Sequence, residues 1–274
     1  MEPYWDLISR IIRESDLVLE ILDARLVELS RNEEVENIIE EIGRPVIFVV
    51  NKSDLVSRKS LKEQVKRLRK KGEVVFVSAK RPRDVKILLY AIKKVFSKYG
   101  KREIVERKVG EPKLKTREAR GEIVVGVLGY PNVGKSSIIN ALAHKRKVKV
   151  SKKAGTTHGI HWVKATNEIK LIDSPGVIPL IKEDEIRYGL IGARDTESLK
   201  NPEIVAHAVI KLFLKVNKKS FEKFYKIELN KKNPEEIIEE IGIKKGHLLK
   251  GKRIDEHRTC SMIIRDWQQG RLRL

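Results

Sequence analysis

The sequence predicts an α/β fold, a mainly parallel sheet flanked by helices, with a smaller all-α domain after it. Three observations carry that expectation. Five short, mostly apolar runs lead into polar loops, stretches with helical apolar spacing alternate with them, and strand signals stop after Pro179. A length of 274 residues suits about two domains.

In chain order, Leu17 to Leu22 reads as a buried strand and Pro45 to Val50 as a second. Val74 to Val77, Ile123 to Leu128 and Glu168 to Ile172 complete the set, each followed by Gly, Ser, Asp or Asn. Arg31 to Ile42, Lys59 to Lys71, Asp84 to Ser97 and Lys135 to Ala143 carry helix-like spacing between them. Residues 98–120 hold nine Lys or Arg against four Glu, with Gly100, Gly110 and Pro112. They read as a basic connector between two halves of one sheet. Pro202 to Val216, Pro234 to Ile241 and Asp255 to Gly270 are helical in pattern. The expected division is therefore 1–182 for the α/β domain and 183–274 for the helical one.

Lys and Arg number 59 against 38 Asp and Glu, a net charge of +21. So large a bias points to a polyanionic partner. Nucleic acid ranks ahead of a membrane, because no apolar run approaches the roughly 18 residues of a spanning helix and no lipidation signal is present. The charged opening from Met1 to Arg10 argues against a secretory leader, and a cytoplasmic location is expected. The single cysteine, Cys260, cannot form an internal disulfide and reads as a small apolar filler.

The run Gly129, Tyr130, Pro131, Asn132, Val133, Gly134, Lys135, Ser136 fits the phosphate-loop pattern, directly after a strand and before a helix. Gly134 permits close backbone approach there, and successive N–H groups and the helix start face the phosphates. Lys135 neutralises the outer phosphates, and Ser136 offers a hydroxyl to Mg²⁺. Pro131 through Ser137 is the expected phosphate-binding stretch. Asp173, Ser174, Pro175 and Gly176 follow a strand, so the carboxylate of Asp173 can hold Mg²⁺ through water and the Gly176 N–H can sense a γ-phosphate.

Asn51, Lys52, Ser53 and Asp54 end one buried strand, and Ser78, Ala79 and Lys80 end the next. Guanine presents two adjacent donors that one carboxylate, Asp54, can accept together, whereas adenine offers an acceptor and is repelled. The expected nucleotide is GTP or GDP. Asn51 braces the loop and ring, the Lys52 stem lies over the base plane, and the Ala79 N–H reaches the guanine O6.

Together these elements resemble the translation-factor-related GTPases, with the base-reading motifs placed before the phosphate loop. Asn51 to Asp54, Ser78 to Lys80, Gly129 to Ser136, Thr157 and Asp173 to Gly176 resemble the circularly permuted GTPases of the YlqF/RbgA type, over nearly the whole chain. Asp23, Ala24 and Arg25 resemble that family's Asp-Ala-Arg signature, with Val27 where proline is usual, and Ile263 to Leu272 is similar to its helical C-terminal domain. The resemblance implies a P-loop GTPase domain with a permuted sheet and GTP hydrolysis in large ribosomal subunit assembly. It also implies Thr157 as a nucleotide and Mg²⁺ contact beside Ser136 and Asp173. The rotated order follows if residues 98–120 join the chain ends of an unrotated domain.

Val177 and Ile178 stand where many GTPases carry a water-orienting Gln, so slow unaided turnover is expected, stimulated by potassium, by ribosomal subunits or by both. By resemblance Asn132 is a candidate K⁺ ligand, in competition with an Asn that only shapes the loop. Asn132, Lys135, Thr157 and Gly176 form the candidate catalytic set. The family's N-terminal histidine motif has no counterpart, the first histidine being His144, and His158 and His161 read more simply as solvated than as catalytic.

His144 to Lys153 contains Lys145, Arg146, Lys147, Lys149, Lys152 and Lys153 with no acidic residue. Residues 200–274 carry 18 Lys or Arg against 10 Asp or Glu. With Trp162, Trp267 and the resemblance, these point to ribosomal RNA and the large subunit as partners, bound through phosphates and helical shape, with no DNA specificity. A monomer is expected. Two function classes stay open: a GTP hydrolase that leaves a maturing subunit after turnover, and a GTP-gated RNA-binding or recruitment module with negligible turnover.

Overall fold

The computed structural model describes residues 4–101, 123–143, 161–174, 184–230 and 232–274. It contains α1 (Tyr4–Glu14), β1 (Leu17–Asp23), α2 (Val27–Ser30), α3 (Glu33–Ile42), β2 (Val46–Asn51), α4 (Arg58–Gln64), β3 (Glu73–Phe76) and α5 (Pro82–Tyr99). Then follow β4 (Ile123–Leu128), α6 (Lys135–Leu142), β5 (His161–Lys164) and β6 (Ile169–Asp173). Helices complete the chain: α7 (Glu185–Ile191), α8 (Pro202–Val216), α9 (Lys218–Tyr225), α10 (Pro234–Lys245) and α11 (Glu256–Gln268). Packing divides it into two units, Met1–Asp54 with Arg58–Pro179, and Leu55–Ser57 with Leu180–Leu274.

In the first unit six strands form one sheet in the order β3-β2-β1-β4-β6-β5. All neighbours are parallel except β5, which runs antiparallel to β6. The α/β expectation holds, and the strands before and after the connector join through β1 and β4. Every residue of β1 is buried, so both faces of the sheet are covered. On one face Val18, Val124, Leu128 and Ile172 pack with Ile8, Ile11 and Ile12 of α1 and Val35 and Ile39 of α3. Side chains alternate along a strand, so Leu17, Leu19 and Ile21 point to the opposite face.

Several elements exceed the sequence expectation. The spacing of Ile8, Ile11 and Ile12 turns the polar opening into an amphipathic helix. The edge strand β5 is short and only Val163 of its four residues is buried, which leaves little apolar signal. The expected helix from Lys59 to Lys71 breaks after Gln64 and ends in a 3₁₀ turn, Leu68–Lys70, with the Lys71 and Gly72 N–H groups donating to the Leu68 carbonyl. α5 runs on through Lys98 and Tyr99, residues expected in the connector.

The second unit is helical. Its core stacks Phe213 against Phe221 and, edge to face, against Trp267, with ring centroids 5.2 and 5.8 Å apart. Trp267 is therefore a core residue and not part of an RNA-facing surface: it is fully buried and its indole N–H donates to the Leu190 carbonyl at 2.7 Å. Cys260 is also fully buried, which pushes its thiol pKa up to about 12, as suits a filler. Among the described residues no helix is long and apolar enough to cross a membrane.

Candidate functional site

Strand order reverses between β1 and β4: β2 and β3 extend to one side, β6 and β5 to the other. Loops leaving the C-terminal strand ends at such a switch point diverge and open a crevice. Asp23, Asn51 to Asp54, Ser78 to Lys80, Gly129 to Gly134 and Asp173 all lie at those strand ends.

The loop after β4 turns tightly. Asn132 holds φ +59° and Gly134 φ +103°, and a Cβ on Gly134 would collide with Asn51 Nδ2, so glycine is required there on two counts. α6 begins at Lys135, which turns its first N–H groups and its dipole toward the loop. Pro131 and Val133 are buried, while Ser136 and Ser137 are half-buried in the first turn of α6. Lys135 is buried too, and its Nζ donates to the carbonyls of Gly129 and Tyr130 at 2.7 and 2.9 Å. Burial pushes its pKa down to about 8, against the attraction of Asp173.

Asp173 ends β6, in register with Val127 of β4 and His161 of β5. Among the described residues neither buried carboxylate oxygen has a hydrogen-bond partner. Burial lifts the pKa to about 6, while Lys135 and His161 pull it down. A buried acid lacking donors fits a cation that the rest of the site or its ligand brings. Thr157 and Gly176 lie outside the described residues, as do Pro175, Val177, Ile178, His158, the run 144–153 and connector residues 102–120.

The two loops expected to read the base are tied to this frame. The Asn51 side chain is buried, and its Nδ2 donates to the Val133 carbonyl at 2.9 Å, while Oδ1 has no partner among the described residues. Lys52 takes a left-handed backbone, φ +60°, and its Nζ donates to Asp23 Oδ2 at 2.7 Å. Asp54 is half-buried in a 3₁₀ turn, Ser53–Leu55, and the Ser53 N–H reaches the Val77 carbonyl at 3.2 Å. Ser78 is buried and its N–H donates to Asp84 Oδ2 at 2.9 Å, which fixes the start of α5 beneath the loop. Beyond it Ala79 is half-buried and Lys80 exposed, and both line a cleft of about 230 Å³ with Pro82, Val85, Asn140 and Ala141.

A polar network that the sequence patterns do not single out lies at the phosphate loop. The Asn32 side chain caps α3 and donates to the Tyr130 hydroxyl at 3.4 Å, while its N–H donates to Glu20 Oε1 at 3.2 Å. Burial, and then the neighbouring Glu36, lifts the Glu20 pKa to about 8. The signal was available: an acid in the middle of an apolar strand needs a reason to be there.

The family model described as "50S ribosome-binding GTPase" matches residues 124–244. Ribosome biogenesis GTPase A of Bacillus cereus is 30% identical over 94% of this chain and 84% of its own length. An uncharacterized GTP-binding protein of Methanocaldococcus jannaschii is 38% identical over 98% of this chain, which spans 66% of that relative. The chain spans about half of longer relatives such as Nucleolar GTP-binding protein 2 of Pneumocystis carinii, 30% identical and 52% covered. The GNP-bound crystal structure of YlqF from T. maritima shares the fold, with a TM-score of 0.60 at 23% identity over 98% of this chain and 94% of that one. With the loops expected to read the base placed ahead of its phosphate loop at one switch point of the sheet, the chain belongs to the circularly permuted GTPases of the YlqF, or ribosome biogenesis GTPase A, family.

Proposed function

We propose that this chain binds GTP and GDP with Mg²⁺, hydrolyses GTP to GDP and phosphate, and uses the cycle to bind and leave a maturing large ribosomal subunit. The observation that carries this reading is the bond from Asn51 to the Val133 carbonyl, which locks the loop that reads the base to the loop that cradles phosphates. Two stretches 82 residues apart in the chain thereby become one nucleotide site.

Asp54 accepts the two donors of the guanine edge, and the Ala79 N–H faces its O6. The loop N–H groups from Asn132 onward and the start of α6 receive the phosphates. Lys135, now satisfied by two loop carbonyls, moves its charge onto the outer phosphate oxygens when they arrive. The Ser136 hydroxyl, Thr157 and the Asp173 carboxylate, which lacks a hydrogen-bond partner among the described residues, would hold Mg²⁺. The ion supplies charge neutralisation on the β- and γ-phosphates. Gly176 reports the γ-phosphate, and Asn132 is the internal candidate for holding K⁺ where an arginine finger acts in other enzymes.

The proposed partner is ribosomal RNA of the large subunit, met by the basic run 144–153 and by the helical domain, 183–274, in a cytoplasmic, monomeric protein. The test is GTP turnover in K⁺ or Na⁺ buffer, with and without large ribosomal subunits. Slow hydrolysis that accelerates with subunits and with K⁺ is expected, with ATP not competing. Tight GTP binding with no turnover under any of these conditions replaces the enzyme with a GTP-gated recruitment module, which Val177 in place of Gln permits.

A further inference from the structure

The Asp-Ala-Arg turn after β1 sits beside the base-reading loop. Asp23 is in register with Asn51 across the β1–β2 ladder, and the Ala24 N–H donates to the Asn51 carbonyl at 2.8 Å. The Asp23 carboxylate is shared between two cations. Oδ1 accepts the Arg25 N–H and Nε, each at 3.0 Å, and Oδ2 accepts Arg25 Nη2 at 2.8 Å and Lys52 Nζ at 2.7 Å. The Asp23 and Arg25 side chains are 2% and 0% exposed, whereas that of Lys52 is 21% exposed. Arg25 thus fixes the carboxylate from within the fold, and Lys52 meets it from the crevice. Burial alone would raise the Asp23 pKa, but the two cations hold it well below the ordinary carboxylate range.

We propose that Asp23 is a positioning residue for nucleotide recognition: it anchors the Lys52 ammonium at the tip of β1, so that the lysine stem is laid out before the base arrives. The inference rests on Asn51 to Asp54 being the guanine loop. A lysine free to rotate loses rotamer entropy when it packs on a base, whereas an anchored one lost it on folding. The left-handed backbone at Lys52, unfavourable for a residue with a Cβ, fits a side chain held at its far end. The stem meets the face of the ring and Asp54 its edge, so the anchor acts alike on any purine with that edge or part of it.

Calorimetric titration of GDP and IDP into the full chain tests this with Asp23→Asn, Lys52→Met and the double variant. Lys52→Met keeps a stem of similar length and removes a charge, so it secures the test should Asp23→Asn fail to fold. Each single variant is expected to weaken GDP about tenfold, a loss of about 1.4 kcal/mol, and IDP by the same factor. The double variant is expected to bind no more weakly than either, as two groups acting through one contact do. GDP affinity of Lys52→Met within twofold of wild type overturns the inference. So do losses that add in the double variant, because Asp23 then acts on the fold and not through Lys52. Wild-type protein that binds neither nucleotide overturns the reading of the site, and the inference with it.

Discussion

At the scale of single residues, the site holds charges that the fold alone does not satisfy. Asp173 has a folded pKa near 6, above its ordinary 3.8, so between those values the folded chain binds the extra proton. Stability therefore falls as pH rises from about 3.8 to about 6, and the full penalty is present above that window. Asp173→Asn is expected to raise the stability of the nucleotide-free protein in urea at pH 7.5 by on the order of 1–3 kcal/mol. The gain should fade near pH 4, and Mg²⁺ should no longer tighten GTP binding. A variant less stable than wild type at pH 7.5 would mean that the buried carboxylate is satisfied in the fold. Such residues are legible in the sequence when their chemistry is local: Gly134, Lys135 and Ser136 lie in one short run, and Asp173 ends a strand. The role of Asp23 was not, because its partner Lys52 stands 29 residues away and meets it only once β1 and β2 pair in register. Trp267 was misleading for the same reason, since the carbonyl that satisfies its indole lies 77 residues upstream.

At the scale of elements, legibility follows burial. β1, β2 and β4 are almost wholly buried, and their apolar runs stand out. β5 and the short helix α9 bury too few residues to set a period against their polar neighbours, and α7 buries one unbroken run, Tyr188 to Ile191, which carries no helical period. Their existence depends on tertiary packing, and α7 shows how closely. A Cβ built on Gly189 would lie 2.6 Å from Val205 Cγ1, so α7 approaches α8 closer than any side chain permits. The same turn supplies two carbonyls, of Gly189 to Gln268 Nε2 at 2.9 Å and of Leu190 to the Trp267 indole, that hold α11. Gly189→Ala must push α7 away and strain both bonds. It is expected to lower stability by about 1–3 kcal/mol, read as a lower urea midpoint, and adding Val205→Ala should return part of the loss by making room. An unchanged midpoint in the single variant would show that α7 has slack the structure does not contain.

At the scale of the whole molecule, the dominant quantity is the net charge of +21, which no fold requires and which repels itself when unpartnered. If ribosomal RNA is the polyanion, its phosphates release counterions on binding, and affinity must fall steeply with salt. A footprint of about 6–10 phosphates implies a loss of roughly 10³–10⁵ in affinity between about 50 and 200 mM salt. The run 144–153 holds six Lys or Arg and no acid. Replacing Lys145, Arg146 and Lys147 together by Ala is expected to weaken binding to a large-subunit rRNA fragment in filter assays. It should also reduce the slope of log affinity against log salt by about 2, at roughly 0.7 for each phosphate no longer neutralised. GDP affinity should stay unchanged, because Asn51, Lys52, Asp54 and Ala79, the proposed base contacts, lie at other strand ends. A slope that does not move would assign the RNA footprint to other cations, and one close to zero in the wild type would remove RNA phosphates as the reason for the charge.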